Sequence, residues 1–123
     1  MNSTRTLAAA GLLLALATAC GAFGAHALRA TLAPERLALW DTAVRYQFFQ
    51  ALGLLGIGLA MRTLDGSLLR AAAMLILVGI VLFSGSLYGL AFGAPRLLGA
   101  LTPAGGLAWI CGWLLFAYGA WRY

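Results

Sequence analysis

Six polar side chains near one another in the chain could bind a ligand: His26, Asp41, Arg45, Tyr46, Gln47 and Gln50. A histidine can carry a proton or ligate a metal near neutral pH. Asp41 and Arg45 stand four residues apart, so on a helix they can pair as an acid followed by a base. Tyr46 and the two glutamines add hydroxyl and amide donors and acceptors, and Arg29 and Glu35 lie in the same neighbourhood. Such a set suits holding a polar group. It does not suit catalysis, because the chain offers no nucleophile with a base and an orienter, no phosphate-cradling loop and no paired carboxylates inside an apolar segment. No enzymatic activity is expected. Metal binding needs further ligands at the right spacing, and His26 is the sole histidine while Cys20 and Cys111 form no CxxC. No metal and no cofactor are expected. Each polar residue also has a structural use. An Asp–Arg pair can neutralise itself, glutamines and His26 can tie helices together, and Ser84, Ser86 and Tyr88 can bond across helices or back onto their own.

The elements that must position these groups are set by composition. The 123 residues are 63% hydrophobic and 9% charged, with mean hydropathy +0.95. Soluble domains are about 25% charged, so this chain has too little polar surface to coat a globule in water. It reads as an integral membrane protein of one domain, residues 1–123. Crossing roughly 30 Å of hydrocarbon takes about 20 apolar residues as a helix. Four segments qualify: Leu7–Ala27, Ala43–Met61, Ala71–Phe92 and Ala104–Trp121. The expected fold is therefore all-α, a bundle of four transmembrane helices with short loops. Asp65-Gly66 reads as a turn, Thr102-Pro103 as the N-cap and first residue of the fourth helix, and Pro34-Glu35 as the start of the second, ahead of its apolar core. The net charge of +5 comes from eight arginines, with no lysine, against Glu35, Asp41 and Asp65. The arginines are scattered singly at segment edges, which fits snorkelling to headgroups rather than nucleic-acid binding. Arg5, Arg62, Arg70 and Arg122 on one side balance Arg29, Arg36, Arg45 and Arg96 on the other, so the positive-inside rule leaves the orientation open.

The stretch Leu16-Ala17-Thr18-Ala19-Cys20 resembles the end of a lipoprotein signal, with Arg5 as its basic region. Gly21–Ala25 continues apolar, however, where a lipoprotein would open into a polar tether. An uncut first helix is the expectation.

Lipid tails are as apolar as leucine, so membrane helices associate through close packing and polar contacts. Small residues are supplied in register. Gly85, Gly89 and Gly93 make two small-xxx-small steps in the third segment, and Gly105, Gly112 and Gly119 repeat every seven in the fourth. The first carries Gly11, Ala15, Thr18, Ala22 and Ala25, with Gly21 and Gly24 as further packing positions. These faces are expected to meet at short distances.

Four stretches together resemble one known family: "GAFGAH" (Gly21–His26), "TAVRYQFFQALGLLGIGLAM" (Thr42–Met61), "LFSGSLYGLA" (Leu82–Ala91) and "TPAGGLAWICGW" (Thr102–Trp113). They are similar, in order and spacing, to the domain of unknown function 423 family, the small YgdD-like bacterial inner membrane proteins. The resemblance implies a four-span inner membrane protein with an uncleaved first helix, and no activity. Family members commonly carry a histidine where this chain has Gln50. An amide keeps a hydrogen bond but cannot titrate, which favours a structural or ligand-orienting role there. Two functions follow as expectations. One is binding or transport of a lipid or small amphiphile in a polar pocket between helices one, two and three, with transport requiring a homo-oligomer. The other is non-catalytic assembly with a larger membrane complex through the glycine faces.

Overall fold

The computed structural model describes residues 1–64 and 66–123. The expected turn residue Asp65 lies outside the described residues; Gly66 directly precedes a helix. Four long helices carry the chain: α1 (Ser3–His26), α2 (Pro34–Ala60), α3 (Ser67–Ala91) and α4 (Leu101–Trp121), with 3-10 turns at Leu28–Ala30 and Arg96–Ala100. The fold is all-helical. α1, α3 and the stretch Arg96–Trp121 containing α4 are long and apolar enough to cross a membrane. α2 is the longest at 27 residues. It carries Glu35, Arg36, Asp41, Arg45, Gln47 and Gln50, and it falls outside that set.

The helix ends follow from local chemistry. Asn2 caps α1, its side chain accepting the Arg5 N–H at 2.8 Å, a cap the sequence reading did not anticipate. Pro34 takes the first position of α2, where a missing N–H is harmless, and holds Ala33 extended at φ −60°, ψ 151°. α4 departs from expectation. It begins at Leu101, so Thr102 lies inside the first turn and does not cap it; the Thr102 hydroxyl bonds instead to Ser86 of α3. Pro103 remains within the first turn, where its missing N–H would have had no helical carbonyl to meet.

Extensive packing joins consecutive helices: α1 on α2, α2 on α3, α3 on α4. α2 and α3 form the inner pair and hold most of the buried residues, with Leu54, Ile57, Leu69 and Ile76 almost wholly enclosed. α1 and α4 are the outer helices. Each approaches its neighbour along small residues seven apart: Ala10, Ala17 and Gly24 on α1, and Gly105, Gly112 and Gly119 on α4. A Cβ on Gly112 would stand 2.9 Å from Ile76, and one on Gly119 2.8 Å from Leu69, so these seams leave no room for a side chain.

The Gly85, Gly89, Gly93 face behaves differently from the expectation. Gly85 has nothing within 4 Å of a Cβ, Gly89 faces Leu98 of the second 3-10 turn, and Gly93 lies past the helix at φ +88° beside the Arg36 guanidinium. The motif permits close approach but does not supply a partner, and here α4 uses another side of α3. The stripe on α1 is likewise exposed: Gly11, Ala15, Thr18, Ala22 and Ala25 all face outward.

Candidate functional site

The centre of the polar architecture is Gln47, buried on α2 with 4% exposure. Its Nε2 donates to the Leu13 carbonyl of α1 at 2.8 Å, and its Oε1 accepts the Tyr88 hydroxyl of α3 at 2.6 Å. One carboxamide thus ties three helices. A few ångströms away the buried Ser84 hydroxyl donates to the Ala43 carbonyl at 2.8 Å, joining α3 to α2 again. Unpaired polar groups are costly in hydrocarbon. Among the described residues every buried side-chain nitrogen and oxygen has a partner.

Three tryptophans repeat one arrangement. Trp40 of α2 lies on Gly24 of α1, and its indole N–H donates to the Cys20 carbonyl at 2.9 Å. Trp109 of α4 lies on Gly79 of α3 and donates to the Ile76 carbonyl at 3.1 Å. Trp113 of α4 lies on Gly53 of α2 and donates to Gln50 Oε1 at 2.9 Å. In each case the acceptor precedes the glycine by three or four residues, one helical turn. The bare glycine lets the flat ring lie against the backbone, and the turn before it supplies the acceptor.

Between α1 and α3, above α2, runs an open groove of about 290 Å³. Leu13, Leu16, Ile80 and Val81 wall it, Gly85 leaves it open, and Gln47, Ser84 and Tyr88 lie at its floor. Because those floor groups bond to one another and to the backbone, the surface offered is largely carbon. Trp40, at 4.6 Å from Tyr88, 5.6 Å from Phe92 and 6.1 Å from Phe23 between ring centres, stands at the His26 end of this groove.

The six candidate residues separate into distinct places. Gln47 is at the groove floor. Gln50 and Tyr46 turn toward α4, where Tyr46 stacks on Trp109 at 6.0 Å and meets Phe83 at 5.1 Å. Asp41 and Arg45 are exposed, the Asp41 carboxylate beside Gly24 of α1, and among the described residues no ion pair joins them. His26 is exposed at the last turn of α1. The pocket expected from them does not form as one site, for a geometric reason. Successive residues turn by about 100°, so Gln47 is carried roughly 200° round from Arg45. Gln47 instead shares the buried face of Trp40 and Val44. Of the two courses open to them, Ser84 and Tyr88 take the bond across helices. Gly24 was expected as a packing position, but its pairing with Trp40, like those of Trp109 with Gly79 and Trp113 with Gly53, was not foreseen, since each joins residues 16 to 60 apart with no local signal.

A helical chain with three spans of membrane-crossing length, tied by internally satisfied polar contacts, defines a small helical membrane protein. The chain belongs to the family described as protein of unknown function (DUF423), which matches residues 20–106. The UPF0382 membrane protein YwdK of Bacillus subtilis is 41% identical over 109 residues, 88% of this chain and 89% of that protein. The UPF0382 inner membrane protein YgdD of Escherichia coli is 39% identical over 104 residues, 85% and 79% of the two chains. A UPF0382 membrane protein of Haemophilus influenzae is 41% identical over 105 residues, 85% and 83%. No solved structure matches the chain. The family resemblance carried by the four quoted stretches is thereby established.

Proposed function

We propose that this chain is a four-span, non-enzymatic protein of a bacterial plasma membrane, and that the groove between α1 and α3 holds an acyl chain of a lipid or similar amphiphile. The groove itself carries the reading. It is largely apolar, about 290 Å³, and its few polar groups already have partners. Such a lining suits a hydrocarbon chain; an ion or a sugar would find too few free donors and acceptors. Four spans are supported by the position of α2, which packs along two apolar helices and so shares their depth. YgdD is named an inner membrane protein, which supports the same membrane for this chain.

The test fills the groove without disturbing the seams. Nothing lies within 4 Å of a Cβ at Gly85, so Gly85→Leu projects into free space. Native mass spectrometry of protein extracted from its own membrane in mild detergent should show a retained lipid, lost in Gly85→Leu while the fold persists. An unliganded wild-type chain, or equal lipid occupancy in Gly85→Leu, would overturn the reading.

A further inference from the structure

We propose that the occupant of the groove is one glycerophospholipid with a net negative headgroup, drawn from a single leaflet, its phosphate held by Arg36; this rests on the groove holding an acyl chain. The groove takes up only half the length of the bundle. Leu13, Gln47 and Ile80, at its inner end, stand near the middle of α1, α2 and α3. From there it runs to Cys20 and Tyr88, toward the connection between α1 and α2. On the other side of those midpoints the space is filled by Ala10, Leu54, Ala73 and Ile76 of one buried cluster. A slot confined to one half of helices that cross a membrane lies within one leaflet and admits a chain from that leaflet alone.

The dimensions agree with such a lipid. Arg36, Trp40, Val44, Gln47 and Ala51 recur every three or four residues, so they share one face of α2, the groove floor and its continuation. From Gln47 back to Arg36 the helix climbs about 16 Å. The hydrocarbon of one leaflet is about 15 Å deep, half of the whole core. A chain whose methyl end lies at Gln47 therefore brings its ester and phosphate to the level of Arg36. Between the two stands Trp40, flanked by the exposed rings of Phe23 on α1 and Phe92 on α3. Tryptophan at that depth matches the membrane interface, where the chain gives way to the headgroup.

Arg36 is placed and free to receive that headgroup. Its side chain is exposed, and its guanidinium leans on Gly93, just past the end of α3, with Nη1 3.1 Å from where a Cβ would stand. Gly93 holds φ +88°, a conformation that favours glycine and keeps this seat bare. Among the described residues no hydrogen bond or ion pair engages the Arg36 N–H groups, and neither Glu35 nor Asp41, the carboxylates of this end, pairs with it. A flat fork of unengaged donors matches the paired oxygens of a phosphate. The surroundings select the charge of the lipid. Arg29, Arg45 and Arg96 are exposed at the same end, so four arginines stand against two carboxylates. A headgroup with net negative charge gains from that surplus. A choline headgroup brings its own cation beside Arg36 and gives the gain back.

Native mass spectrometry of the delipidated full chain in micelles tests this, with dioleoyl phosphatidylglycerol and the phosphatidylcholine of the same chains as probes. The wild type should bind the anionic lipid about five-fold more tightly, the weight of about one arginine near a charged surface. Arg36→Gln should bring the two lipids to equal affinity without weakening the choline lipid, which shows that the fold and the groove persist. Arg62→Gln removes the same charge past the far end of α2 and should keep the preference. Gly85→Leu should lose both lipids, and inorganic phosphate alone should leave no adduct. If both lipids bind and Gly85→Leu abolishes them, but the wild type shows no preference or Arg36→Gln leaves it unchanged, the headgroup site is refuted and the groove stands. Binding of neither lipid overturns the groove and the headgroup site together. Equal loss of preference in Arg62→Gln, or a phosphate adduct that persists in Gly85→Leu, would also overturn the headgroup site.

Discussion

Gly79 and Gly85 sit six residues apart on α3, and one methyl group at each should have opposite effects. A Cβ at Gly79 would overlap the Trp109 ring and stand 2.9 Å from the Gly105 carbonyl oxygen, which is backbone and cannot swing aside. Overpacking of this kind costs about 1–3 kcal/mol. Moving the ring also weakens the indole bond to Ile76, a loss of about 1 kcal/mol. Replacing a helical glycine returns up to about 1 kcal/mol at either site. Gly79→Ala should therefore destabilise by roughly 1–3 kcal/mol, while Gly85→Ala, with nothing within 4 Å, should be neutral or stabilising by up to about 1 kcal/mol. Reversible unfolding in mixed micelles, followed by circular dichroism, measures both on one scale. Equal stabilities for the two variants would refute the assignment of Trp109 to a glycine seat.

Three other outcomes follow from the contacts described. Gln47→Leu and Tyr88→Phe should each destabilise, and the double variant should cost less than their sum by about 0.5–1.5 kcal/mol in a mutant cycle, since they remove one shared bond; strict additivity would deny the pair. Trp40→Phe keeps a ring on Gly24 but removes the N–H to the Cys20 carbonyl, so micelle unfolding should show a loss near 1 kcal/mol, and no loss would make that bond incidental. Cys20 lies within the unbroken helix α1, so the extracted protein should weigh 12.9 kDa on intact-mass measurement. A lipidated product beginning at Cys20 would contradict this.

The helices were legible because hydrophobic runs and prolines act locally. Pro34 opens α2 by fixing its own φ and restricting Ala33, which needs no tertiary contact. The glycines of α4 were legible through their repeat, since seven residues return to the same helix face. Gly53, Gly58 and Gly79 were not, because each is defined by a ring or leucine from another helix. The Gly85-Gly89-Gly93 pattern misled for the complementary reason: spacing describes what a helix permits, and the partner was elsewhere. The polar cluster was found by proximity along the chain, but proximity on a helix does not mean a shared face. Arg45 and Gln47 are two residues apart and point to different surroundings.

The cross-helix bonds have an uneven bearing on how this sequence can drift. Leu13, Cys20, Ala43, Ile76 and Gly58 accept through backbone carbonyls, from Gln47, Trp40, Ser84, Trp109 and Ser3. A carbonyl has two lone pairs, so it can serve its own helix and a neighbour together. Any residue provides that acceptor, so Leu13 or Ile76 can change identity, subject to packing, without losing the bond. The donors have no such freedom, because serine, glutamine and tryptophan are needed for the hydrogen they supply. Half of each tie is therefore written in the backbone, where substitution cannot reach it. Variation among relatives should fall on the accepting residues and spare the donating ones.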